Sequence, residues 1–389
     1  MGEAAAGGPA RSDRVRHVHP QLSASTRGPV LVIGSGLLGA SIGLGLGAHG
    51  VPVTLRDSSP AALALARDLG AGAIATAADA EPTLVVVAAP PDVTAGLVAE
   101  ALCAHPGAVV TDVASVKAVV LEALLATPGL DLNRYVGSHP MAGRERSGAA
   151  AASADLFAGR PWVLTEHEGA DPAAVLAVRS LAVDLGASPV EMGTQEHDRA
   201  VALVSHLPQL MASLAAARLV DAPEAALALA GQGLRDVTRI AASDPRLWSA
   251  ILTGNAEAVL DALRGVRDDL DGLLDALDRA AHDGPLALGA IAGISAVISA
   301  GNDGAARIPG KHGGARKRYV EVTVLVPDQP GELGRLFTEI GEIGVNIEDF
   351  QMEHSPKQRV GLAIVSVAPG SVRTLETALE ERGWRVVSQ

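Results

Sequence analysis

A histidine held between serine and proline, in VGSHPMAGRERSG (136–148), is the residue of this chain best suited to moving a proton. Imidazole titrates near neutrality, so His139 could serve as a base at physiological pH. Its residue type leaves a packing role or a metal-ligand role open. No second histidine stands at ligand spacing from it, and no metal site is expected in the chain. Upstream, TDVASVK (111–117) puts Asp112, Ser115 and Lys117 in a strand-to-helix turn, where Ser115 could cap the helix or present its hydroxyl to a ligand. Downstream, TQEHDRAVALVSHLPQ (194–209) sets Asp198, Ala202, His206 and Gln209 on one face at helical spacing. His206 could face a ligand or pack in a core. Asp198 could pair with Arg239 of DVTRIAASDP and hold it in place. Pro208 should disturb its helix about one turn earlier.

These groups need a scaffold, and the first third of the chain supplies one. PVLVIGSGLLGASIGLGLGAHG (29–50) reads as strand, tight turn, helix and glycine stop. Gly34, Gly36 and Gly39 give the G-x-G-x-x-G spacing directly after an apolar strand. The first permits the turn, the second lets a pyrophosphate approach the backbone, and the third lets helix and strand pack closely. Ser35, Leu37 and Leu38 fill the remaining places, where free helix amides and a positive dipole end meet phosphate. The next strand, VPVTLRD, ends at Asp57, a carboxylate placed to accept from ribose hydroxyls and repel a 2′-phosphate. That favours NAD over NADP. Alternation along the strand predicts that Arg56 points away from the cofactor. Further strands at 83–90 and 107–113 alternate with helices at 60–69 and 92–104, giving a doubly wound α/β sheet. Ligands of such sheets gather at the carboxyl ends of the strands, where AAPPD, TDVASVK and GSHPMAG all fall.

Composition narrows the class. Across 389 residues the net charge is −13, which argues against nucleic acid or an anionic membrane surface as partner. Cys103 is the sole cysteine, which excludes an intramolecular disulfide and a cysteine metal site. Residues 1–27 are polar and lack the apolar core of a signal peptide, so a flexible tail and a cytoplasmic protein are expected. The uncharged run 285–301 is short and rich in small residues, suiting a helix buried against other helices better than a lipid-spanning one.

The segments GSGLLGASIG, TDVASVK, GSHPMAGRERSG, QEHDRAVALVSHLPQ and GLRDVTRIAASDPRLW occur in the order and spacing of the TyrA family, and the chain resembles its prephenate and arogenate dehydrogenases over roughly residues 28–300. The resemblance implies NAD-linked oxidative decarboxylation of prephenate toward tyrosine, or of arogenate, within a Rossmann-type domain (28–193) followed by an all-helical domain (194–300) that forms a homodimer. It implies His139 as the catalytic base with Ser115 beside it. It also implies Arg239 as the carboxylate-binding group, and Asp198, His206, Gln209, Glu145 and Trp248 as substrate-side residues. Trp248 is equally suited to a core, and Arg144, Glu145 and Arg146 could form a lid or a solvated charge run. Where Gln209 stands, many relatives carry histidine, which leaves the choice of prephenate or arogenate open.

Beyond a glycine-rich linker (301–317), VPDQPGELGRLFTEIGEIGVNI resembles an ACT domain, and residues 318–389 parse in ferredoxin-like βαββαβ order. That resemblance implies an amino-acid effector, tyrosine, bound by Asp328, Gly331 and Leu333 with Asn346 and Ile347 opposite. A domain used only for assembly is the alternative, and a non-catalytic amino-acid sensor is the reading from another class.

Overall fold

The computed structural model describes residues 24–144, 146–309, 319–354 and 360–387. The chain divides into two compact units, one ending at Arg264 and the other beginning at Gly265.

In the first unit, β1 (Val30–Ile33), α1 (Leu37–Ala48), β2 (Val53–Arg56), α2 (Pro60–Asp68), β3 (Ala73–Ile74), β4 (Leu84–Val87), α3 (Pro91–Ala104) and β5 (Val109–Asp112) alternate as expected. Next come α4 (Ala118–Leu125), β6 (Tyr135–Pro140), β7 (Pro161–Thr165), α5 (Pro172–Asp184) and β8 (Ser188–Glu191). The sheet runs β3-β2-β1-β4-β5-β6-β7-β8, parallel throughout except that β7 lies antiparallel to β6. Its strands are apolar on both faces because both faces are covered. Val30, Val32 and Val86 enter one core, while Leu31, Ile33, Val85 and Val87 enter the other. The parallel run from β1 to β6 therefore delivers Gly34, Asp112 and His139 to one edge.

The chain then turns helical. α6 (Thr194–Val201) passes into α7 (Leu207–Ala217) through a single π turn at Ala202–His206, so the disturbance expected before Pro208 is a bulge within one continuous helix. Thr194–Ala217 has the length and apolarity to cross a membrane. Here it carries His197, Asp198 and His206 as buried polar groups, each partnered inside the protein. α8 (Glu224–Leu227), α9 (Gln232–Ala241) and α10 (Pro245–Gly254) follow, and α11 (Ala256–Asp283) runs on into the second unit.

There, α12 (Ala290–Ala306) corrects two expectations. It packs at Gly293 against Ala276, yet Ile291 and Ile298 stay exposed, as do Leu286 at 85% and Leu288 at 97% just before it. The run at 285–301 is thus not buried within one chain. The helix also takes in residues 301–306, the start of the expected linker, because nothing in AGNDGAA forces a stop. After it come β9 (Val320–Pro327), α13 (Glu332–Ile343), β10 (Asp349–His354), β11 (Val360–Val367), α14 (Val372–Glu381) and β12 (Arg385–Val387). These strands form an antiparallel sheet in the order β10-β11-β9-β12. Its one face, with Val322, Val324, Val326, Val365 and Val367, meets Leu336, Ile340, Leu375 and Leu379 of the two helices. β10 starts only at Asp349. Gly344 is left-handed, and the Val345 amide still donates to Ile340, closing the helix end before the ladder begins. At the other terminus, the expected tail reaches less far than residue 27, since Ser25 and Thr26 donate their amides to Asp184. Residues 1–23 lie outside those described.

Candidate active site

The turn after β1 has the geometry its glycines suggest. Gly34 has φ +101°, and a side chain there would strike the Ala88 carbonyl; one at Gly39 would strike the Gly34 carbonyl. Gly36 faces open space, the side from which a pyrophosphate would approach. Leu37 and Leu38 open α1, whose first amides carry no side-chain cap and remain available to an anion. Asp57 closes the cleft. It accepts from the Ser35 amide at 2.6 Å, the Ser35 hydroxyl at 2.7 Å and the Ser59 amide at 2.7 Å. Burial pushes its carboxyl up, but these three donors outweigh that and hold it below the ordinary aspartate value. A cavity of about 520 Å³ runs past Gly34, Gly36, Asp57 and Pro90. Arg56 lines it as well, contrary to the expectation that it points away, and its guanidinium is held by Glu100 at 3.0 Å. β2 ends at Arg56, so the alternation of a strand no longer governs the pair.

Three strands along the same edge, β6 carries His139 one residue before its end. The half-buried imidazole has Nδ1 2.9 Å from Nε2 of His197, with the two rings set edge to face. His197 Nδ1 lies 2.7 Å from Asp198 Oδ1. Asp198 also accepts the amides of Lys117 and Ala118, each at 2.9 Å. It therefore caps α4 from a different helix, in place of both the expected pairing with Arg239 and the capping by Ser115. Ser115 sits half-buried in the bend between β5 and α4. Below these groups, the fully buried Lys117 ammonium bonds the Asp112 carboxylate and the Ser138 carbonyl, and the Tyr135 hydroxyl donates to Asp112 at 2.7 Å. Burial, then the neighbouring His197, Lys117 and His206, push His139 well below the ordinary histidine value. It is a neutral imidazole at physiological pH.

Buried His206 stacks edge-on against Trp248 and takes the Asn255 side-chain amide on Nδ1 at 3.2 Å. Burial first, and His197 as well, lower its pKa to about 4 against the opposing pull of Asp198. It packs, as one of the two expectations allowed. A separate hollow of about 580 Å³ is lined by Arg144, Gln209, Arg239 and Trp248. Arg239 occupies the last turn of α9, and Gln209 is fixed by donating to Ser243 at 2.7 Å. Glu145 lies outside the described residues. Among the described residues no group of three or more His, Cys, Asp or Glu side chains is arranged to hold a metal.

The profile described as prephenate dehydrogenase, nucleotide-binding domain, matches residues 42–191, and that described as prephenate dehydrogenase, dimerization domain, matches residues 193–288. A Streptomyces niveus protein named "Probable prephenate dehydrogenase NovF" is 37% identical over 357 residues, 91% of this chain and 98% of that protein. The chain belongs to the prephenate dehydrogenase family. The solved prephenate dehydrogenase from A. aeolicus, in complex with hydroxyphenyl propionate and NAD+, aligns at 28% identity and TM-score 0.61, covering 70% of this chain and 97% of that one. Synechocystis arogenate dehydrogenase aligns at 27% identity and TM-score 0.56, covering 70% and 99%.

In this prephenate dehydrogenase family member, sequence reasoning passed over His197 and the buried partnership of Lys117 with Asp112. The signal for the first was its place beside Asp198 in QEHD. The effector positions are not assembled within one chain. Asp328, Gly331 and Leu333 stand at the start of α13, while Asn346 and Ile347 follow its end. Twelve residues of helix separate the two groups by about 18 Å.

Proposed function

We propose that this chain oxidises prephenate in tyrosine biosynthesis, with NAD as hydride acceptor, giving 4-hydroxyphenylpyruvate and CO₂. The observation that carries the reading is the neutral imidazole of His139 on the sheet edge that also carries the Gly34–Asp57 cleft. Strands lie ~4.8 Å apart, so three spacings put His139 roughly 14 Å from the turn after β1, within reach of an extended dinucleotide.

NAD, bound along Gly34–Gly39 and Asp57, supplies the hydride acceptor. His139 accepts the proton of the substrate's 4-hydroxyl as hydride leaves the same carbon, and Ser115 lies at the neighbouring strand end to orient that hydroxyl. The ring carboxylate departs as CO₂ and its bonding electrons complete the aromatic ring. The proton then returns to the phenolate oxygen, so none is consumed overall. Arg239 grips a carboxylate through paired hydrogen bonds, with Gln209 and Trp248 around the ring. Asp198 and His206 support the site from behind. Asp57 favours NAD over NADP, and the tie between Arg56 and Glu100 withholds the cation that a 2′-phosphate would seek.

Purified protein incubated with prephenate and NAD should form NADH and CO₂ in equal amounts; no NADH with either prephenate or arogenate would end this reading. Gln209 favours a test of arogenate in parallel, because its fixed amide lines the hollow and could meet an amino as readily as a keto side chain.

We read the chain as a cytoplasmic homodimer assembled through the helical region, which the uncovered apolar positions of α12 support. The βαββαβ sheet order supports an ACT domain as the C-terminal module. A tyrosine site using both of its expected segments requires a second copy, since one chain holds them a helix length apart.

A further inference from the structure

We propose that Asp198 and His197 are positioning residues that select which nitrogen of His139 is the base, through a chain of hydrogen bonds running Asp198–His197–His139. The inference deepens the proposed function and rests on it.

A neutral imidazole carries its proton on either nitrogen, and only the bare one accepts another. The hydrogen bond made by one nitrogen sets the state of the other. Here the chain begins at a fixed charge. The Asp198 carboxylate is held by the amides of Lys117 and Ala118 and can only accept, so His197 carries its proton on Nδ1, 2.7 Å away. His197 Nε2 is then a bare acceptor facing His139 Nδ1 at 2.9 Å. His139 must donate there, so its proton sits on Nδ1. Its Nε2 is left with a free lone pair and has no hydrogen-bond partner among the described residues. A doubly protonated His197 would reverse the last link and put the proton on His139 Nε2, removing the base.

The arrangement also explains why Asp198 spends itself on α4. An anion fixed by two amides cannot swing away, so the tautomer it imposes persists between turnovers. As the substrate proton arrives on His139 Nε2, the resulting imidazolium keeps His197 as acceptor on its far side, which stabilises the developing charge.

The test is a two-bond proton–nitrogen NMR spectrum of the full-length protein carrying ¹⁵N-histidine, with NAD and without substrate. His139 is assigned by its loss in His139→Asn. The Nδ1–H form is expected for both His139 and His197. In His197→Leu, His139 should move to the Nε2–H form, and kcat should fall by ~10²-fold or more with the Kd for NAD within about twofold. His197→Gln, whose side-chain oxygen can stand where Nε2 stood, should keep the wild-type tautomer and recover at least a tenth of kcat. An Nε2–H form of His139 in the wild type overturns the proposal. So does a fall in kcat in His197→Leu with the tautomer unchanged, or no fall at all. Should His197→Leu fail to fold, the wild-type spectrum and His197→Gln decide alone. Because the spectrum needs no turnover, its failure is distinct from that of the functional reading, which His139→Asn with full activity would overturn whatever the tautomer.

Discussion

The dinucleotide cleft and the histidine cluster sit along one edge of one sheet, yet they are built in different ways. The cleft is local: Gly34 to Asp57 is a single turn–helix–strand passage, and the groups we propose for NAD there are backbone amides and one carboxylate. The cluster is assembled from afar. His139 meets His197 across 58 residues, and Asp198 reaches the Lys117 amide across 81. Backbone geometry alone makes the first, whereas the second needs β5, β6, α4 and α6 all in register. The cleft should therefore tolerate damage to the cluster, and the cluster should be the more sensitive of the two to small displacements.

The sharpest way to break that separation is His139→Asn. Loss of the base should lower kcat by ~10²- to 10⁴-fold, while calorimetric titration with NAD shows an unchanged Kd. A large loss of NAD affinity in the same variant would mean that the two regions are one. Next in size is Arg239→Gln, which removes a charged, paired grip on carboxylate. Such bonds contribute about 1.5–3 kcal/mol, so KM for prephenate should rise roughly ten- to a hundredfold with KM for NAD unmoved. A change in kcat alone would take Arg239 out of substrate binding.

What could be read from the chain follows the same division. The cleft was legible because its chemistry is written in consecutive residues, and only Arg56 misled: β2 ends there, so alternation lapses one residue before Asp57. The βαββαβ module was legible for a like reason, its period-2 strands and amphipathic helices being local patterns, although the left-handed Gly344 delayed β10. His139 stood out by its flanks, but His197 did not. Adjacent helical residues point about 100° apart, so a face drawn through Asp198 and His206 leaves His197 off it. The same drawing gave Asp198 to Arg239. The partners of Asp198 are instead His197 and two helix amides already aligned at the start of α4, and no spacing rule links residue 198 to residue 117.

On the cleft side, the comparison is sharpened by separating cofactor choice from catalysis. Glu100→Gln should free the Arg56 guanidinium, and adding Asp57→Ser should remove the carboxylate that repels a 2′-phosphate. The double variant should shift the ratio of kcat/KM for NADP over NAD upward by at least ~10-fold, the scale of one charge-assisted hydrogen bond gained. The pH dependence of prephenate turnover should be unchanged, because His139 is untouched. A ratio that stays put would show that Arg56 cannot reach the phosphate even when released.

The effect that leaves catalysis unmoved is thermodynamic and belongs to the cluster. His206 has its pKa lowered to about 4 by burial and by His197, and that of His139 is lowered too, whereas both return toward ~6.5 in the unfolded chain. Between these limits the unfolded state binds more protons than the folded one, so stability must fall as pH drops below about 6.5. For His206 the fall approaches ~1.4 kcal/mol per pH unit and levels off near pH 4, where the folded state takes up the proton as well. The Asp57 carboxyl is also held below its ordinary value, but for an acid that favours the charged form, so the cleft keeps its charge through this window. Urea unfolding of the wild type and His206→Asn between pH 4.5 and 8 would isolate the contribution. Asparagine can still accept from Asn255 but cannot titrate, so the variant should show the shallower slope, with NAD affinity at pH 5 matching the wild type. Equal slopes would mean that His206 already carries its proton in the folded protein, which its contacts with Asn255 and Trp248 oppose.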